Sequence, residues 1–284
     1  MMKKLFTIIL VAVCFLAEAQ VQVPQASPAG SVSSVVGLTT IKVDYFRPRV
    51  KGRKVFGEKD VMHKFGDIWR TGANSGTKIT FSDDVTVEGT KVAKGEYLIF
   101  SWPGATEWTV SLYKDLSIGG NADAYAKENE VALFKVKTEK LARPAETFTV
   151  SIDDIASDNK SAKVTIAFEN YAFSFGVTVD FDAKVMKSIE DNTKVNPNNY
   201  VAAARYYFDT NKDLKKALEY IDLGIAGNPN AFWNVHLKAQ IQQKLGDKKG
   251  ALATAQQSLD LAKKNPDGDF GYIKLNEDLI KSLK

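Results

Sequence analysis

Tyr171-Ala-Phe173-Ser-Phe175-Gly-Val177-Thr-Val179-Asp-Phe181 is the stretch that decides the fold. A large apolar side chain falls on every second residue, with Ala, Ser, Gly, Thr and Asp between. A pleated strand sends successive side chains to opposite faces, so this run offers one face to a core and one to water. The same period of two recurs upstream: Ile41, Val43, Tyr45; Thr77, Ile79, Phe81; Trp108, Val110, Leu112; Phe148, Val150, Ile152; Val164, Ile166, Phe168. Turn signals punctuate the runs at Ser82-Asp83-Asp84, Glu88-Gly89, Pro103-Gly104, Gly119-Gly120 and Asp158-Asn159. About nine short strands with such punctuation, and no helical stretches between them, predict an antiparallel β-sandwich or barrel.

Downstream of about Ala183 the period changes. After Asn196-Pro197-Asn198 it is helical, and a repeat appears: Asp213-Leu-Lys-Lys-Ala217 superposes on Asp247-Lys-Lys-Gly-Ala251 at a spacing of 34. The same offset pairs Ile221 with Ala255 and Ile225 with Leu259. This resembles the tetratricopeptide repeat, whose period is 34 and whose small residue recurs at the Ala217/Ala251 position. The expected organisation is a signal segment over 1–19, an antiparallel β domain over 20–182 and a short α-helical, tetratricopeptide-like repeat region over 183–284.

The first residues carry the parts of a secretory signal in order. Lys3-Lys4 is the basic region, Leu5 to Leu16 the apolar one, and Ala17-Glu18-Ala19 has the small-x-small form of a cleavage site. The protein is therefore expected to be exported, periplasmic or secreted, after cleavage near Ala19. Cys14, the only cysteine, would leave with the signal, so disulfides and thiolate chemistry are not expected. No transmembrane span is expected in the mature chain. The formal charge of +4, without a basic stripe, argues against nucleic acid as a partner.

A polar block lies between Tyr45 and Asn74: Tyr45-x-Arg47-Pro48, Gly52-Arg53, Phe56-Gly57, then Trp69-Arg70-Thr71-Gly72-Ala73-Asn74. With the later Gly95-x-Tyr97 and Trp108-Thr109, the order and spacing of these motifs resemble the DUF2911 family, a domain of unknown function common in exported bacterial proteins. The resemblance runs from Ser27-Pro28 to about Phe181 and supplies no activity. An acidic residue often follows the asparagine in that family, whereas Ser75 stands here.

The residue types in the block point to a ligand site made of Tyr45, Arg47, Arg53, Trp69, Arg70 and Asn74. Arginines carry fixed charge and forked donors suited to carboxylate, phosphate or sulfate. A carboxamide at Asn74 both gives and accepts hydrogen bonds, and Trp69, Trp102 and Trp108 offer rings for stacking. The same residues read equally as a structural brace: Asp44, Asp60 and Asp67 can answer the arginines, Asn74 can make a turn, and tryptophans in strict alternation are core.

Three function classes follow. A non-catalytic binding protein would hold a polar or anionic small molecule, an envelope glycan or a peptide in the β domain. A scaffold would use the helical repeats to contact a protein partner. A hydrolase needs a nucleophile and a base. His63 and His236 are the only histidines, and Ser75, His63 and Asp67 can be written as a triad that no nucleophile-elbow pattern supports. A carboxylate pair for glycoside hydrolysis would be brought together by the fold rather than by a sequence motif. No cofactor and no metal are expected, because two distant histidines and scattered acids show no ligand spacing.

Overall fold

The computed structural model describes residues 23–193 and 196–284, so the segment read as a signal lies outside the described residues. The chain divides into two compact units between Phe181 and Asp182. The first is built of strands: β1 (Ala29–Val36), β2 (Thr39–Phe46), β3 (Phe56–Gly57), β4 (His63–Lys64), β5 (Thr77–Phe81), β6 (Val85–Val87), β7 (Thr90–Val92), β8 (Gly95–Trp102), β9 (Glu107–Tyr113), β10 (Glu130–Lys137), β11 (Glu139–Asp153) and β12 (Ser161–Val179). Six form one antiparallel sheet in the order β1-β2-β5-β8-β9-β10, and four form a second in the order β11-β12-β6-β7. Neither closes on itself, so the fold is a sandwich and not a barrel.

Alternation explains the core. On β2, Ile41, Val43 and Tyr45 are buried while Lys42 is exposed, and on β9 Trp108, Val110 and Leu112 are 0–1 % accessible. These residues share one cluster with Phe148 and Val150 of β11 and Phe173, Phe175 and Val177 of β12. β8 is buried on both faces. Its Leu98 and Phe100 leave the main core and pack with Tyr113, Ile118 and Tyr125 beneath a strap over 116–129. The strap holds three single-turn helices, Leu116–Ile118, Ala122–Ala124 and Lys127–Asn129.

The run Val164–Phe168 and the run from Tyr171 as far as Val179 lie on one strand of 19 residues, not two. Inward residues are even-numbered before Glu169 and odd-numbered after it. Glu169 takes a φ of +57°, and the pairing with β11 slips there between Ala167↔Thr149 and Tyr171↔Lys140. Between those pairs β11 runs from Thr149 to Lys140 while β12 runs only from Ala167 to Tyr171, so the irregular bulge is carried by β11. The left-handed Glu169 flips the side-chain phase of β12 without ending it.

The second unit is helical: α1 (Asp182–Asn192), α2 (Pro197–Asp209), α3 (Leu214–Gly227), α4 (Phe232–Lys244), α5 (Lys248–Lys264) and α6 (Tyr272–Leu283). Asp213 and Asp247 cap α3 and α5 alike, accepting from Lys216 N and Gly250 N at 2.9 and 2.8 Å. Ala217 and Ala251, one 34-residue offset apart, are both fully buried. A polar chain crosses this unit's interior. His236 Nδ1 lies 2.7 Å from Asn276 Oδ1, Asn276 Nδ2 donates to Ser258 Oγ, and Ser258 Oγ donates to Phe232 O. Burial lowers the proton affinity of His236, against the raising effect of its bond to Asn276. Among the described residues, no helix is long and apolar enough to cross a membrane.

Candidate functional site

The segment from Arg47 to Phe56 leaves β2 and is strapped along β11. Phe148 N donates to Pro48 O at 2.9 Å, Val50 N donates to Glu146 O at 2.8 Å, and Arg49 bridges to Thr147. Lys51 and Gly52 then turn the chain through left-handed backbone, at φ of +51° and +71°. Two carboxylates hold this turn by its amides. Glu146 Oε1 accepts from Lys51 N at 3.0 Å; Glu169, 8 % accessible, accepts from Val55 N and Phe56 N at 3.2 and 3.4 Å. Val55 and Phe56 anchor the far end in the core.

The Trp69–Gly76 segment is pinned to β8. Trp69 and Ser101 exchange backbone bonds at 2.7 and 2.9 Å, and the buried Thr71 hydroxyl meets Ser101 Oγ at 2.7 Å. Thr77 Oγ1 donates to Thr71 O. Thr71 and Asn74 both take positive φ, and Gly76 N closes the turn on Ala73 O at 3.0 Å. The segment therefore loops outward between Trp69 in the core and β5, which leaves Arg70 exposed. Arg70 Nη1 donates to Asn74 O at 3.1 Å, within its own loop.

Between these two segments lies a cleft of about 280 Å³. Arg49, Lys51, Arg53 and Arg70 line it, with His63, and Trp69 and Phe168 form its floor; among the described residues no acid lines it. Among the described residues none of the four cations has a carboxylate within ion-pair distance. Arg53 uses two donors on its own turn, Nε to Val50 O at 2.9 Å and Nη2 to Arg49 O at 2.5 Å. Most guanidinium donors of Arg53 and Arg70 stay unspent, since each fork offers five. A second cleft of about 410 Å³ adjoins it, sharing His63, Trp69 and Arg70, and is lined beyond them by Asn74, Asn121 and Asp123.

The residues expected from sequence are thus only partly gathered. Arg53, Trp69 and Arg70 share the basic cleft, and Asn74 lines the adjoining one. Tyr45 points into the core edge-on to Phe148 and borders a different groove on the outer face of the six-stranded sheet. Arg47 lies along Gly30 with its Nε buried and without a hydrogen-bond partner among the described residues, and lines neither cleft. Trp69 and Trp108 are 2 % and 1 % accessible, so they are core rings with no free face for stacking. Arg49 and Lys51 escaped the motif reading. The signal for them was Arg47-Pro-Arg49-Val-Lys51-Gly-Arg53, which holds four cations and no acid.

His63 sits against Trp69, ring centroids 5.3 Å apart, and borders both clefts. Burial first, then the Arg70 charge, push its pKa down to about 4, against the opposing pull of Asp67. The imidazole is neutral at ordinary pH and makes no hydrogen bond among the described residues. Ser75 faces the outer groove instead, so the Ser75–His63–Asp67 arrangement is not assembled. No group of three His, Cys, Asp or Glu side chains among the described residues could hold a metal ion.

Residues 27–177 match the family described as "Protein of unknown function (DUF2911)". No curated protein matches the chain.

Proposed function

Because the chain belongs to the DUF2911 family, whose description names no activity, we propose from the cleft itself that this is a non-catalytic binding protein whose β unit holds a small anionic ligand. One observation carries the reading: Arg49, Lys51, Arg53 and Arg70 line one cleft with no carboxylate among them. Their neighbours Glu146 and Glu169 are engaged with backbone amides, so the fold leaves the cations to be neutralised from outside. Guanidinium forks match carboxylate and phosphate oxygens, and such charge-assisted bonds are the strong ones. The Lys3-Lys4, Leu5–Leu16 and Ala17-Glu18-Ala19 pattern favours export, and an exported protein would meet envelope or extracellular molecules.

A second reading makes the helical unit a tetratricopeptide-like scaffold for a protein partner. It is favoured by the equivalent caps at Asp213 and Asp247, and by Trp233 and Phe270, which stand 42 % and 68 % accessible beside Phe232. Titration of the full chain with inorganic phosphate and with acetate, followed by calorimetry, separates the two. The binding reading expects uptake that weakens with added salt, and a loss of about tenfold or more in Arg53→Ala and in Arg70→Ala with melting unchanged. The scaffold reading expects no uptake by the full chain and no effect of either substitution on it.

A further inference from the structure

The basic cleft does not end at Arg70. The polar cleft continues from it across His63, Trp69 and Arg70. Gly120 of the strap keeps that junction tight: a Cβ there would stand 2.4 Å from Asn74 O and 2.6 Å from Arg70 Cδ. The strap backbone thus lies directly on the arginine and holds it where the two clefts meet.

The polar cleft has its own unanswered chemistry. The Asp123 carboxylate is exposed and makes no hydrogen bond among the described residues; only its backbone N–H is engaged, by Asn121 Oδ1 at 3.2 Å. Among the described residues Asn121 Nδ2 and Asn74 Oδ1 have no hydrogen-bond partner, while Asn74 Nδ2 makes a long 3.4 Å bond to Ser27 O. A carboxylate only accepts, whereas a carboxamide both gives and accepts. Hydroxyl groups, which do both, satisfy that set together. An ammonium would answer Asp123 and Asn74 Oδ1 but offers no acceptor to Asn121 Nδ2; a second acid would be repelled by Asp123.

We propose that the two clefts form one elongated site for a polyhydroxy acid, a sugar bearing a carboxylate or phosphate, with the acid among Arg49, Arg53 and Arg70 and the hydroxyls on Asn74, Asn121 and Asp123. The proposal rests on the anion-binding reading of the basic cleft and adds the other half of the ligand.

The test is calorimetric titration of the full chain with matched probes: glucuronate against acetate, glucose 6-phosphate against inorganic phosphate, and glucose alone. Each sugar acid should bind about tenfold tighter than its bare anion, the gain of one or two hydrogen bonds, and glucose far more weakly than either sugar acid. Asp123→Ala, at an exposed position, should shrink the sugar-phosphate to phosphate affinity ratio towards one. Phosphate binding with no gain from the sugar, or a gain that survives in Asp123→Ala, overturns this inference and leaves the anion reading standing. Absence of binding by every anion overturns both.

Discussion

Two concave surfaces of the β unit use charge in opposite ways. Along the outer groove, of about 560 Å³, Lys42 pairs with Asp44 at 2.9 Å and Lys78 pairs with Glu96 at 2.9 Å. Burial alone would raise the Asp44 pKa, but the bonds from Lys42 and Ser31 and the Lys78 charge outweigh it and hold the carboxyl below its usual range. In the basic cleft the acids at hand, Glu146 and Glu169, grip amides and leave four cations open. The cations beside the groove are answered by carboxylates; those of the cleft are not. Like charges gathered without carboxylate partners repel one another, and that repulsion is what the proposed anion would relieve.

The comparison can be broken at its floor. Trp69 packs among Phe56, His63, Trp108, Phe148 and Phe168 at centroid distances of 5.1 to 6.5 Å. Trp69→Ala should therefore cost about 3–5 kcal/mol in denaturant unfolding. A cost below about 1 kcal/mol would mean that the ring serves the cleft more than the core. A smaller effect sharpens the contrast through pH. The folded-state pKa of His63, about 4, lies below its ordinary 6.5, so the unfolded chain binds a proton that the folded chain refuses. Stability is complete above about pH 6.5 and falls as the pH drops towards 4, by about 1–2 kcal/mol once solvent screening at the half-exposed ring is counted. His63→Gln should flatten that slope, and Arg70→Ala should reduce it; an unchanged slope in both would remove His63 from the cleft's electrostatics. The smallest effect belongs to the groove. Lys78→Ala breaks an exposed pair and should move stability by no more than about 0.5 kcal/mol without touching phosphate affinity. A fall in phosphate affinity there would dissolve the distinction between the two surfaces.

Much of the fold was legible because burial writes itself as alternation. Ile41-Val43-Tyr45 and Trp108-Val110-Leu112 lie inward as their period requires. The short strands β3, β4, β6 and β7 were not, since two or three residues carry no period. Nor was the continuity of β12: the phase flip at Glu169 reads as the end of one run and the start of another. The cleft was half legible. Unusual residue types drew attention to Arg53, Trp69 and Arg70, but whether arginines converge depends on which strand each loop is strapped to. Arg47 and Arg49 are two residues apart, and only Arg49 reaches the cleft. Asn121 and Asp123 come from a strap some fifty residues beyond Arg70, beyond the reach of any local pattern.

The long strand β12 has one further consequence, in time. Its last residues pair with β6, Val177 with Val87 and Val179 with Val85, about ninety residues back along the chain. The five contacts along the six-stranded sheet form between nearer segments, but the second sheet must wait for almost the whole β unit to emerge. Pairing across so long a loop is slow, because closure entropy is lost before the contacts repay it. Until β12 is made, the second sheet lacks the strand that joins β11 to β6, so this half of the β unit is expected to form last.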